Sequence, residues 1–279
     1  MKLNINDEFG DLESVAVCWG YNMPQYGTYT TNDPEYVKFH PNSWDNNLLL
    51  KQQEKFFKRL EKYKVELIFP KLKKNLTQQM FTRDTAFVIG DKFYYSNTRK
   101  FKVRNGEVEC LLEILKLRPE QCIAVDEEIE GGDVLVQSNN SVLIGHSSRT
   151  SKKAIEYIKK YINIRAFELG NHIMHLDTRL THLPKNIVLT YSSAFSLKER
   201  GYISKKYNVI EVNDKEVKEL GTNVFVVNPE TVFVPAQHKR IRDELINKGL
   251  CVESIEYSEP INLSGSFRCT TLPLRRKNI

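Results

Sequence analysis

The feature that most constrains the fold is a recurring unit of two adjacent strand-forming runs, an amphipathic helix and one more strand, spread over 279 residues. "TAFVIGDKFYYS" (85–96) holds two β-rich runs around Gly-Asp, followed by the apolar-periodic "GEVECLLEILKL" (106–117) and by "CIAVD" (122–126). "DVLVQSNNSVLIGHS" (133–147) turns at Ser-Asn-Asn-Ser, leads into "SKKAIEYIKKYI" (151–162) with Ser151 as its N-cap, and closes with "IRAFEL" (164–169). "MHLDTRLTHLPKNIVLTY" (174–191) and "NVFVVNPETVFVPA" (223–236) open two further copies. The last runs into "HKRIRDELINKG" (238–249) and "LCVESIEY" (250–257).

A fifth copy is split between the chain ends. "ESVAVCW" (13–19), "SWDNNLLLKQQEKFFKRLEKYK" (43–64) and "VELIFP" (65–70) lack a first hairpin strand, which "RCTTLPLRR" (268–276) supplies. Pairing the ends closes a ring of units with a period of roughly 40–50 residues, the range of propellers. The expected fold class is therefore α/β, a five-bladed α/β propeller with pseudo-fivefold hairpin-helix-strand repeats. Apolar residues at 41% suffice for a full core, and no Pro/Gly/Ser-rich linker interrupts the pattern. A single domain over 1–279 is expected.

The net charge of +6 is dispersed along the chain except at "LPLRRKN" (272–278), which does not favour nucleic acid as a partner. The polar, acidic "MKLNINDEFGDLE" start does not read as a signal peptide, and no apolar run approaches the ~20 residues of a membrane span. The five cysteines are odd in number and lack CxxC spacing, which fits a reducing cytoplasm. Oligomeric state, including a homo-oligomer, stays open. "YNMPQYGTYTTNDPEYVKFHPNS" (21–43) is a candidate loop over a site.

In a pseudo-symmetric ring, residues just before or within the first strand of each unit converge on the axis. "FTRD" (81–84), "EGGD" (130–133), "HLDT" (175–178) and "RC" (268–269) deliver a thiol, an imidazole and carboxylates from four segments. That is the inventory for nucleophilic catalysis with a base and an orienting acid. Each residue alone also has a plain structural reading: Cys269 as a small core hydrophobe, His175 as a core or surface imidazole, Glu130 and Asp133 as parts of a glycine turn. "HIMHLD" (172–177) invites a metal reading. On a strand, however, His172 and His175 face opposite sides while His175 and Asp177 share one.

Taken in order, "FGDLESVAV", "FTRDTAFVIGD", "EGGDVL", "IGHSSRT", "HLDT" and "GSFRCTTLPLRR" resemble the guanidino-group-modifying enzymes: arginine deiminase, dimethylarginine dimethylaminohydrolase and the amidinotransferases. The resemblance covers nearly the whole chain and implies the pentein fold, a five-bladed α/β propeller. It matches Cys269 to the nucleophile, His175 to the general acid/base and Glu130 to the carboxylate that orients it. Asp84 and Asp177 match the carboxylates that hold the substrate guanidinium. Arg149 matches an arginine near the substrate carboxylate in relatives acting on free amino acids. Arg104 is a further substrate-binding candidate, with a salt bridge to Glu107 as its other reading.

The implied chemistry suits these residues. A guanidinium is planar and cationic, so carboxylates both fix its plane and compensate its charge. A thiolate then adds to its central carbon, and the thiol pKa must fall for this; the bound cation, His175 and Arg268 are the expected causes. No metal or organic cofactor is required. Through the resemblance, Glu130 rather than Asp points to the hydrolases over the amidinotransferases. Asp177 points to an unsubstituted guanidine over a methylated one, and Asp84 rather than Asn departs from the arginine dihydrolases. The implied function is hydrolysis of arginine or a small arginine-like guanidino substrate. An amidinotransferase is the alternative, a methylarginine hydrolase a further one, and a non-catalytic binding propeller the last.

Overall fold

The computed structural model describes residues 1–24, 43–98 and 104–278. Most of the 21–43 loop, residues 25–42, lies outside them. In chain order the split unit begins with β1 (Leu12–Ala16), α1 (Asn46–Lys62) and β2 (Glu66–Ile68). The first complete unit follows as a one-turn helix α2 (Thr82–Thr85), β3 (Phe87–Ile89), β4 (Lys92–Ser96), α3 (Glu107–Leu115) and β5 (Cys122–Val125). The second is β6 (Val134–Ser138), β7 (Ser141–His146), α4 (Lys152–Ile158) and β8 (Asn163–Glu168). The third is β9 (Leu180–Leu183), β10 (Ile187–Thr190), α5 (Leu197–Lys206) and β11 (Asn208–Glu211), followed by the short α6 (Asp214–Lys218). The fourth is β12 (Phe225–Asn228), β13 (Thr231–Pro235), α7 (Lys239–Asn247) and β14 (Cys251–Ile255); α8 (Ser258–Asn262) then leads to β15 (Leu272–Arg276).

Among the described residues these strands make five three-stranded sheets of one pattern. In each, the first two strands pair antiparallel, through a hairpin in the four complete units, and the helical crossover brings the third strand back parallel to the second. The termini share a sheet as the sequence predicts: β15 runs antiparallel to β1, with Leu12 opposite Arg276 and Ala16 opposite Leu272, and β2 lies parallel on the other side.

Burial falls from first strand to third. First strands such as β9 and β12 are buried almost throughout, whereas the third strands β8, β11 and β14 expose much of their length. The inner strands of different sheets therefore pack on one another, and the turns that feed them meet. The segment that bears Cys269 is pinned from behind by aromatic packing. Asp45 caps α1 by accepting from the Asn47 and Leu48 N–H groups, and Phe56 of that helix packs 4.6 Å from Phe267, which stacks on Tyr257 at 4.2 Å. No helix among the described residues is long and apolar enough to cross a membrane.

Candidate active site

Each first strand is preceded by a tight turn, and these turns carry the polar groups. Asp84 sits in α2, Glu130 immediately precedes a 3-10 turn at Gly131–Asp133, His175 immediately precedes another at Leu176–Thr178 that contains Asp177, and Cys269 lies in the turn before β15. The strand geometry expected for "HLDT" is not what forms. The Thr178 N–H bonds back to the His175 carbonyl and the Leu176 N–H donates to Asp133, so the chain stays in a turn until Leu180. His175 and Asp177 are nevertheless both buried in one network, while His172 is exposed.

Close approach dictates the glycines of "EGGD". A Cβ on Gly131 would lie 2.2 Å from the Arg83 carbonyl oxygen, and one on Gly132 would lie 2.6 Å from Cγ of His175. The turn thus packs directly against the imidazole and against the segment bearing Asp84.

His175 is the hub. Its Nε2 is 2.8 Å from Glu130 Oε2 and its Nδ1 is 3.8 Å from Asp84 Oδ1. Burial opposes its protonation, yet the Asp84 charge, the hydrogen bond to Glu130 and the nearby Asp133 raise its pKa to about 9. For Glu130 burial acts upward and is overcome by Arg149, whose guanidinium is 3.8 Å away, and by His175 and Arg104; its carboxyl is held well below the usual range. Asp133 accepts the Leu176 N–H at 2.9 Å and the Ser147 and Thr150 hydroxyls at 2.6 Å each, fixing the next unit's turn; burial pushes its carboxyl up to about 7.

Arg104 stands behind the site. Its Nη1 donates to Asp84 Oδ2 at 2.8 Å, its Nε to Glu107 Oε2 at 2.9 Å, and its Nη2 to the Phe81 carbonyl at 3.1 Å. The Glu107 salt bridge is therefore present, joined by one to Asp84.

Cys269 is 3% exposed, and its carbonyl accepts the Arg83 N–H, which ties it to the Asp84 turn. Met80, Phe81, Leu263, Met23, Trp44 and Leu49 form its apolar wall. Burial first, then the charges of Asp177 and Asp84, push its thiol well above the ordinary value. Arg268, expected to lower it, interacts favourably with the sulfur's charge, but its hydrogen bonds go to other groups: its Nη1 and Nη2 donate to Glu8 and Nη2 also to the Val134 carbonyl. Asp177 is fully buried, and neither carboxylate oxygen receives a hydrogen bond among the described residues; Arg268 Nε is 3.3 Å from Oδ2 without the alignment of a donor. Thiol and imidazole thus share the fields of the same two carboxylates, Asp84 and Asp177.

Asp84, Glu130 and His175 each offer a ligand atom within 4.8 Å of one another. Their arrangement is that of an ion-pair network with Arg104 and Arg149 at its edges. Two groups escape a motif search. Glu8 comes from the N-terminal segment, and Asn223 lies in the turn before β12; only the equivalence of that turn with the other four could have flagged it.

The profile described as "N,N dimethylarginine dimethylhydrolase, eukaryotic" matches residues 29–276. The chain belongs to the N,N dimethylarginine dimethylhydrolase family. Within reach of this family member in sequence is the uncharacterized protein YkgA of Bacillus subtilis (strain 168), 29% identical over 277 residues, 96% of this chain and 94% of that protein. Its fold is shared with the N-terminal domain of ArgZ, an arginine dihydrolase of the ornithine-ammonia cycle in Cyanobacteria, at TM-score 0.81 and 18% identity over 95% of this chain and 98% of that one. It is shared equally with SxtG, an amidinotransferase from Microseira wollei, at TM-score 0.80 and 17% identity over 99% and 98%. The fold is the pentein α/β fold, and this dimethylhydrolase-family member is a guanidino-modifying enzyme.

Proposed function

We propose that the protein hydrolyses the guanidino group of arginine or a small arginine-like compound with an unsubstituted terminal nitrogen, releasing ammonia and a ureido product. One observation carries this: the Asp177 carboxylate is wholly buried and neither oxygen receives a hydrogen bond among the described residues, although the Arg268 guanidinium lies beside it with Nε 3.3 Å from Oδ2. A buried carboxylate left in that state is costly, and a planar cation offering paired N–H groups satisfies its hydrogen bonding and its charge together.

On this proposal Asp177 and Asp84 grip the guanidinium, with Arg104 holding Asp84 in place. Burial and the charges of Asp177 and Asp84 keep the resting Cys269 protonated; the bound cation offsets that field, and the thiol gives its proton to solvent water. The thiolate electron pair forms the S–C bond at the central carbon while the C=N π pair moves to nitrogen. His175, already an imidazolium at neutral pH, gives its proton to the departing nitrogen as the C–N bond breaks and ammonia leaves. Glu130 orients the ring and stabilises its charge. The neutral imidazole then takes a proton from water, whose oxygen adds to the thiouronium carbon. The S–C bond then breaks with its electron pair going to sulfur, which also takes the adduct's hydroxyl proton, releasing the ureido product and restoring the Cys269 thiol. Residues 1–279 act here as a single catalytic domain on a small molecule, and the five free cysteines suit a reducing, cytoplasmic setting.

A second reading, hydrolysis of N,N-dimethylarginine, is favoured by the family match. Against it, methyl groups on the terminal nitrogen remove the N–H donors that Asp177 requires. The fold likeness to SxtG keeps amidino transfer as a third. Incubation with arginine alone, with N,N-dimethylarginine, and with arginine plus an amine separates them. Citrulline and ammonia from arginine alone is the expected result. Dimethylamine with arginine inert, or turnover only with an amine present, overturns it.

A further inference from the structure

The turn of the fourth complete unit, Leu220–Asn223 ahead of β12, occupies the place that in the other sheets carries Asp84, Glu130, His175 with Asp177, and Cys269. It presents no ionisable group to the centre. Leu220 adopts a left-handed φ of 56°, the Asn223 N–H closes the turn onto the Leu220 carbonyl at 2.9 Å, and Thr222 and Asn223 are fully buried.

Buried amides need partners for both ends. Asn223 Oδ1 accepts the Cys269 N–H at 3.1 Å, and Nδ2 faces the Asp177 carbonyl oxygen at 3.5 Å, where the Thr222 hydroxyl also donates at 3.1 Å. This pairing fixes the orientation of the amide, since a flip would set oxygen against oxygen and nitrogen against nitrogen. A single side chain therefore spans the backbone of the thiol-bearing turn and the backbone of the carboxylate-bearing turn. Leucine would make neither contact, and aspartate would make only the first while adding a third negative charge beside the sulfur.

We propose that Asn223 is the positioning residue for the nucleophile, setting the register of Cys269 against Asp177 and keeping the thiol ionisable when a cation binds. The proposal rests on Cys269 being the nucleophile. The amide also acts in the right electrostatic sense: burial, Asp177 and Asp84 raise the thiol, and the Ser266 backbone and the Asn223 side chain lower it.

The test uses the full chain with Asn223→Asp and Asn223→Ala, and reads Cys269 carbamidomethylation by iodoacetamide against pH, resolved by peptide mass spectrometry, alongside kcat and KM for arginine. Asn223→Asp, nearly isosteric, is expected to move the alkylation midpoint up by about one unit or more. It should also lower kcat on the order of a hundredfold, with KM changed less than about threefold. A purely structural role would lower thermal stability without moving the alkylation midpoint of the folded variant. A folded Asn223→Asp with midpoint and kcat unchanged overturns the proposal. Should that variant not fold, Asn223→Ala is read in the same way, and an unchanged kcat and midpoint there overturns it. Retained activity in Cys269→Ser is a separate failure, that of the nucleophile assignment, and the alkylation profile remains readable on Cys269 in either case.

Discussion

His175 Nε2 lies 2.8 Å from Glu130 Oε2, with both side chains almost wholly removed from solvent. The imidazolium is held up to about pH 9, so it persists through neutrality and is lost as pH rises through that value. Glu130→Gln keeps a hydrogen-bonding group and removes the charge. The alkaline limb of kcat/KM is expected to move to lower pH by about one unit, with kcat down on the order of tenfold or more. An unmoved limb in a pH–rate series would separate Glu130 from the titrating group.

Cys269→Ser is expected to lower kcat on the order of a thousandfold or more while leaving the fold intact, because serine fills nearly the same buried space. Citrulline formation measured with near-ultraviolet circular dichroism as the folding control is the check.

Asp177→Asn removes the charge that compensates the bound guanidinium. KM for arginine is expected to rise on the order of ten- to a hundredfold, a larger change than in kcat at saturation. Steady-state kinetics decides this, and a KM equal to that of the parent would place the substrate elsewhere.

Gly132→Ala puts a methyl group 2.6 Å from Cγ of His175 in a turn whose backbone tolerates a side chain. The ring must move. A loss of about ten- to a hundredfold in kcat with KM little changed is expected, read against the same variant's thermal midpoint.

Glu8→Gln removes the carboxylate that is hydrogen-bonded to buried Arg268 and is expected to destabilise the protein by about 3 kcal/mol at pH 7. Burial works upward on Glu8, but Arg268 and Arg83 hold its folded pKa at about 2 against 4.5 in the open chain. A depressed carboxylate contributes stability above the higher value and loses it as pH falls through the lower. The gap between parent and variant in urea unfolding should therefore close between pH 4.5 and about 2.

The sequence by itself determined the repeated unit and its order. Strand alternation, helical periodicity, the Ser151 cap and the glycine turns act over a few residues, so each is visible locally, and the split unit followed from a missing strand at one end and a surplus one at the other. The types of group at the centre were equally visible, because the turns before the first strands stand in equivalent places. Tertiary structure alone decided how these groups divide the charge. Glu8 meets Arg268 across 260 residues of chain, so the guanidinium beside the sulfur divides its charge among Glu8, Asp177 and Cys269. Arg104 turns to Asp84 and Glu107, the Asp177 carboxylate receives no hydrogen bond among the described residues, and Asn223, silent as a motif, bridges two turns. The physical reason is that burial and Coulomb interactions are sums over neighbours in space, and a linear pattern carries periodicity but not those sums.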